Sequence, residues 1–364
     1  MHKPDKTLLT SALALILFGL LMVASASSVV SQDRFGHPYA YLVRQLVFGL
    51  GGGAIGFFVG YMTPYRKWQT LAPFLLLAAL VLMLLVFLPQ TGFGYGGAKR
   101  WVQAGPLSFQ PAELLKLALI FYLAAWFAKR KKEIRSVLEG SLPFLVVLGV
   151  VGALLALQPD IGTLGVVILT GGAMYFVAGG RITHITAIGA FVLSSIAGLI
   201  WLAPYRIARL LTFLDPSLDP QGIGYQLRQS LIAIGSGGLL GLGLGYSRQK
   251  YYYVPEPFGD SIFAIMAEEI GFIGVILFLA ALGLFLGLGL RAAFRATDEF
   301  GRFTAVGIVS WLGFQSLINI GAVSGLVPFT GIPLPFVSYG GTSLTLVLTA
   351  VGVLANISRH RISH

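Results

Sequence analysis

Between Ile232 and Gly245 the chain reads IAIGSGGLLGLGLG, and the number of membrane crossings turns on this stretch. It is as apolar as a spanning segment, yet six of its residues are glycine. A glycine in a helix interior costs about 0.8–1 kcal/mol relative to alanine, so the stretch makes a poor isolated spanning helix. The surrounding charge gives a second test. Ten other apolar runs stand out, at roughly 8–30, 42–62, 70–88, 110–127, 141–157, 161–178, 185–203, 262–290, 303–326 and 340–357. Each is near the length that crosses hydrocarbon. With ten crossings and a cytoplasmic N-terminus, fifteen of the 25 basic residues fall on the cytoplasmic side, as the positive-inside bias requires. An eleventh crossing at Ile232 to Gly245 would put Arg291, Arg295, Arg359 and Arg361 outside, against that bias.

The expected fold is therefore all-α: a single polytopic membrane domain over 1–364, with ten transmembrane helices and both termini cytoplasmic. A large extracytoplasmic loop, 204–261, lies between helices 7 and 8. Composition agrees, with 56% hydrophobic and 11% charged residues and a mean hydropathy of +0.83. The net charge of +11 is mostly a topology signal and does not point to nucleic acid. There is no cysteine, so no disulfide or thiolate chemistry is available. The first run, with ASAS from Ala24, reads as an uncleaved anchor rather than a cleaved signal. GGGAIG at Gly51 matches a dinucleotide fingerprint only in letters, since it lies inside a span with no strand before it. Gly49, Gly52, Gly53, Gly56 and Gly60 read instead as a face for close helix packing.

Ionisable residues in membrane segments are costly, and here they gather on one side. Arg44 opens span 2, Glu113 and Lys116 open span 4, Asp160 sits between spans 5 and 6, and Asp260, Glu268 and Glu269 open span 8. The uncharged VPFTGIPLPFVSYGGTS, Val327 to Ser343, joins them and adds Ser338 as a binding candidate. No acid lies near the midplane, where an ion-coupled transporter holds its carboxylates. Plain structural roles stand beside these. Glu113 and Lys116, three apart, neutralise each other as readily as they act on a ligand. Asp160 is a good N-cap, and only one of the adjacent Glu268 and Glu269 is expected to face the bundle. Asp260 follows a proline-glycine segment, PEPFGD, and shares its loop with Arg206, Arg209, Arg228, Arg248 and Lys250. Lys99 and Arg100 precede span 4. A carboxylate among cations suits an anionic, phosphate-bearing lipid, although such cations also serve membrane lipid head groups.

Six motifs in order carry a resemblance over nearly the whole chain: GAKRW at Gly97, QPAELLK at Gln110, QPDIGT at Gln158, GYQLRQSLIAIGSGG at Gly224, PEPFGDSIFAIMAEEIGFIG at Pro255 and TGIPLPFVSYGG at Thr330. They resemble the RodA/FtsW (SEDS) family of bacterial cell-wall synthases, with the RodA branch the nearest. That resemblance implies an inverting peptidoglycan glycosyltransferase of the cytoplasmic membrane that polymerises lipid II for cell elongation and shape. A lipid II flippase, or a non-catalytic scaffold for a class B penicillin-binding protein, is the alternative. It also places the family's essential loop aspartate on Asp260, although Phe258, Gly259 and Ser261 stand where the family commonly has His-Thr and Phe. Asp260 is then the expected base. Arg44, Lys116, Arg206, Arg209, Arg248 and Lys250 are the cations for the leaving diphosphate, and Lys99, Arg100, Glu113, Asp160 and Ser338 complete the binding set. A divalent cation such as Mg or Mn is an open cofactor, for which the sequence offers no ligand set. Lipid II, membrane lipids and a class B penicillin-binding protein are the expected partners.

Overall fold

A computed structural model of the protein describes residues 4–88, 92–95, 98–104, 107–130, 133–184, 186–187, 189–190, 194, 198, 207 and 211–360. Its helices are α1 (Lys6–Ala26), α2 (Ser28–Phe35), α3 (Ala40–Met62), α4 (Tyr65–Leu85), α5 (Pro111–Lys129), α6 (Val137–Leu157), α7 (Ile161–Val177), α8 (Ile223–Ser236), α9 (Ile262–Phe294), α10 (Glu299–Val323) and α11 (Gly341–Arg359). Among the described residues, eight helices are long and apolar enough to cross a bilayer, and α7, with 17 residues, falls just short. Nine of the ten expected runs coincide with these helices. The run at 185–203 lies mostly outside the described residues.

The decisive stretch does not form one continuous helix. Helix α8 ends at Ser236, and Gly237 to Gly245 follow as irregular backbone. This segment pairs with a break in α9, where Gly271 has φ +66° and ψ −173°. Leu242 and Gly243 donate N–H groups to the carbonyls of Glu268 and Glu269, each at 3.0 Å. Phe272 and Ile273 donate to Gly238 and Leu239 at 2.9 and 3.1 Å. The backbone groups freed by the break are thus satisfied by the glycine-rich segment, as burial in an apolar medium demands. The approach needs glycine, because a Cβ at Gly237 would stand 2.1 Å from the Ala267 carbonyl oxygen.

Helices α3 and α11 are in close contact. A Cβ at Gly53 would lie 2.3 Å from the Leu348 side chain, and one at Gly60 would lie 2.6 Å from the Thr349 carbonyl. The glycine face of α3 is therefore a packing surface, as its spacing predicts.

One element departs from an all-α fold. Residues between α4 and α5 form an antiparallel sheet of β1 (Gly92–Tyr95), β2 (Ala98–Ala104) and β3 (Leu107–Phe109), in the order β1-β2-β3. Strands of three to seven residues are too short to announce themselves through alternation in a glycine-rich loop. Strand β2 carries Lys99 and Arg100.

Candidate active site

Asp260 stands one residue before the cap of α9, and its backbone is fixed from outside its own loop. Three consecutive carbonyl oxygens are taken. Phe258 accepts from the Tyr339 N–H (2.9 Å), Gly259 from the Ser338 hydroxyl (2.7 Å), and Asp260 from the Asn319 side-chain amide (2.8 Å). Ser338 also accepts from the Leu334 N–H, and Asn319 also donates to the Ile332 carbonyl at 2.7 Å. The segment from Ile332 to Tyr339 thus cradles the Phe258–Asp260 turn. The Phe258 ring packs on Tyr41 at 4.5 Å and on Tyr339 at 5.5 Å.

One oxygen of the carboxylate is left without a partner. Its Oδ1 is sealed from solvent and has no hydrogen-bond partner. Burial pushes this acid up to about 7 and the charge of Glu256 adds to the rise, while backbone N–H groups and Arg100 pull the other way. A carboxyl poised near neutrality is what a general base at physiological pH requires.

Arg100 reaches from β2 to the turn before α7, donating to the carbonyls of Gln158 and Pro159. Asp160 caps α7 by accepting from the Thr163 N–H at 3.2 Å, and its Oδ2 is buried and unpartnered. Helix α7 touches the same central loop, since a Cβ at Gly162 would lie 2.6 Å from Ile332. Glu113 and Lys116 form a buried ion pair at 2.7 Å, with side chains 1% and 3% exposed. Lys116 also donates to Gln315 at 2.6 Å and lies 5.0 Å from the Trp311 ring centre.

Several candidates occupy different places from those expected. Lys250 is not a loop cation open to a diphosphate: it is buried, donates to the Gly245 carbonyl at 2.6 Å and pairs with Glu269 at 3.3 Å. Glu268 and Glu269 are both buried, because the segment from Ile262 to Glu269 is wrapped on every side. Glu268 accepts from the Ser247 hydroxyl and the N–H groups of Arg248 and Gln249, and Glu269 from Ser25. Ser338 is spent on the loop and is not exposed to a ligand. Glu113 and Lys116 likewise face protein. Arg44, Lys99 and Arg248 remain exposed, with Arg44 stacked 4.5 Å over the Phe35 ring. Arg206 and Arg209 lie outside the described residues. The expectation for Asp160 as a cap holds.

Sequence reasoning passed over Gln315 and Asn319, which bridge the ion pair and the Asp260 loop. The signal was present in WLGFQSLIN, Trp311 to Asn319: two amides one turn apart in an otherwise apolar span. Polar side chains inside such helices seek partners on neighbouring elements. Among the described residues no three His, Asp or Glu side chains cluster as a cation site.

Comparison with known proteins gives the family. The family model FTSW_RODA_SPOVE, described as cell cycle protein, matches residues 5–363. Stage V sporulation protein E of Bacillus subtilis is 45% identical over 357 residues, covering 98% of this chain and 97% of that protein. The probable peptidoglycan glycosyltransferase FtsW of Coxiella burnetii is 40% identical over 358 residues, covering 97% and 96%. Among solved structures, the rod shape determining protein RodA of Thermus thermophilus superposes with a TM-score of 0.73 at 29% identity, covering 99% of this chain and 98% of that one. A chain from a peptidoglycan synthase complex that coordinates polymerization and crosslinking gives 0.80 at 31% identity, with 98% of both chains covered. The sporulation and FtsW branches are thus at least as near in sequence as RodA. The protein is a multi-pass protein of the bacterial cell membrane and belongs to the FtsW, RodA and SpoVE family.

Proposed function

We propose that the protein is a peptidoglycan glycosyltransferase that polymerises lipid II at the outer face of the cytoplasmic membrane, with Asp260 as its general base. One observation carries this reading: a loop carboxylate whose backbone is held at three consecutive carbonyls while its Oδ1 is left without a partner. The curated FtsW relatives, named as probable peptidoglycan glycosyltransferases, support the reaction class. The charge bias puts both termini on the cytoplasmic side and the Asp260 end outside.

In the reaction, the 4-hydroxyl of one lipid-linked disaccharide attacks the anomeric carbon of the growing chain. A C–O bond forms there as the bond to the polyprenyl diphosphate breaks, with inversion. Asp260 takes the hydroxyl proton as the nucleophile forms its bond. The departing diphosphate gains negative charge, for which the exposed cations Arg44, Lys99 and Arg248 are the candidates, with Arg206 and Arg209 as further candidates from the sequence. A class B penicillin-binding protein is the partner this activity calls for, since polymerised strands must then be cross-linked.

Purified protein given labelled lipid II, with and without such a partner, tests the proposal on a glycan gel. Wild type yields polymer and Asp260→Asn does not. Translocation of lipid II across vesicle bilayers with no polymer formed would overturn it in favour of a flippase.

A further inference from the structure

Gln315 and Asn319 stand one turn apart on α10, and between them they use five polar contacts. Gln315 Oε1 accepts from Lys116 Nζ (2.6 Å) and from Trp311 Nε1 (2.7 Å), and its Nε2 donates to the Pro333 carbonyl (2.8 Å). Asn319 places its two amide hydrogens on carbonyls from two separate segments, Asp260 and Ile332. Its Oδ1 is buried and has no partner. Leaving an amide oxygen dry and unpaired is costly, so the residue is not there for its own stability. An apolar side chain of similar volume would fill the space without that cost, but it could not hold the two carbonyls together.

We propose that Asn319 is a positioning residue for Asp260. It pins the base loop to the Ile332–Tyr339 segment, and Gln315 ties that segment in turn to the Glu113–Lys116 pair. The inference rests on the reading of Asp260 as the base. It also gives the buried ion pair a role that requires no contact with substrate. The pair anchors a chain of hydrogen bonds running Lys116, Gln315, Pro333, and from the adjoining Ile332 through Asn319 to Asp260.

A clamp of this kind predicts more than lost stability. Released at its carbonyl, the Asp260 turn drifts toward water and away from its working position. Misplacement of a reacting group by about 1 Å costs on the order of 100-fold in rate. A better hydrated carboxyl also ionises more easily. The charged groups that act on it are Glu256 on its own loop and Arg100 on β2. Helix α10 and the 330–343 segment bring none to this end.

The test is steady-state polymerisation of labelled lipid II by purified full-length Asn319→Ala across pH, with Asp260→Asn and Ser316→Ala alongside. Ser316 is equally buried on α10 but bonds only its own helix, at the Leu312 carbonyl, so it controls for disturbance of the helix. Asn319→Ala should lose about 10- to 100-fold in kcat with KM close to wild type. Its rising pH limb should sit below that of wild type, and Ser316→Ala should match wild type in both. An inactive Asp260→Asn beside a folded Asn319→Ala with wild-type kcat and pH limb would overturn this inference alone. An active Asp260→Asn would remove the base and the inference with it. Should Asn319→Ala fail to fold, Asn319→Ser carries the same readouts, and wild-type kinetics there would overturn the clamp.

Discussion

Two aspartates at opposite ends of the bundle show how one residue type is tuned in two directions. Asp298 caps α10, its Oδ1 accepting from the Gly301 N–H at 2.8 Å. Its Oδ2 accepts from the Tyr65 hydroxyl (2.6 Å) and Arg66 (2.8 Å). Burial works to raise this acid, but the Tyr65 hydroxyl, the Gly301 N–H and Arg66 outweigh it and hold the carboxyl below its ordinary value. Asp260 has burial too, and no donor for its Oδ1. It is pushed up to about 7. What separates them is the supply of donors. Asp298 has both carboxylate oxygens bonded, whereas the Asp260 loop has its backbone fixed and its Oδ1 left without a donor. Glu113 Oε2 and Asp160 Oδ2 are unpartnered as well. An aspartate used for stability has its oxygens satisfied, and an aspartate used for chemistry keeps one in need of a proton.

The largest effect should come from Asp260→Asn, which keeps the size and removes the proton acceptor. General-base catalysis contributes about 10²- to 10⁴-fold, so polymer should all but vanish. The comparison predicts a second, opposite effect. A carboxyl whose folded value lies above its unfolded value near 3.9 loses stability as pH rises through that interval, because the folded state resists ionisation. The asparagine variant escapes this penalty. It should therefore melt higher than wild type at pH 8, with the gap closing near pH 4. Equal melting at both pH values would show that Asp260 is not starved of donors.

Next in size is Lys116→Met. Removing one member of a buried ion pair leaves the other charge uncompensated and typically costs about 3–5 kcal/mol. A large fall in melting temperature and loss of polymerisation are expected. Adding Glu113→Leu should recover much of the melting temperature and little of the activity, since Gln315 still lacks its lysine donor. Full polymerisation by the double variant would show the pair to be structural only.

Lys250→Met should do less. Glu269 keeps the Ser25 hydroxyl and the Ser247 N–H, which holds the loss of its buried partner to the lower end of the typical range of about 3–5 kcal/mol, although the Gly245 carbonyl loses its donor as well. KM for lipid II should hold, as Lys250 is enclosed. A large rise in KM with normal melting would return Lys250 to the substrate.

Much of this was legible in the sequence. The eight spans among the described residues follow from apolar length, the packing face of α3 from glycine spacing, and Asp260 from the PEPFGD segment and the motifs around it. The reading of Ile232 to Gly245 as non-spanning rested on its glycines and on distant arginines, and both signals survive folding into any context. What escaped was set by partners far along the chain. Nothing local to Lys250 says that a glycine-rich segment will fold back and bury it against Glu269. Nothing local to Glu268 says that α9 will break at Gly271 and leave its first two turns enclosed. Gln315 and Asn319 have meaning only once the Pro333 and Ile332 carbonyls are beside them. Sequence periodicity reports the environment of a helix face, whereas these residues answer to single atoms on other elements.

The smallest effect tests the quiet end. Tyr65→Phe removes one of three donors to Asp298 and leaves Arg66 and the Gly301 N–H in place. The hydroxyl-to-carboxylate bond is worth about 1 kcal/mol net, so a modest fall in melting temperature at neutral pH is expected. An acid held below its ordinary value gives stability that is present above its unfolded value and lost as pH falls through the folded one. With one donor gone, Asp298 has less to lose, so wild type and variant should converge in stability as pH drops below about 4. Lipid II polymerisation should be unchanged throughout. A variant that melts like wild type but polymerises poorly would mean that the two ends are coupled, and the contrast between a structural aspartate and a chemical one would fail at its simpler end.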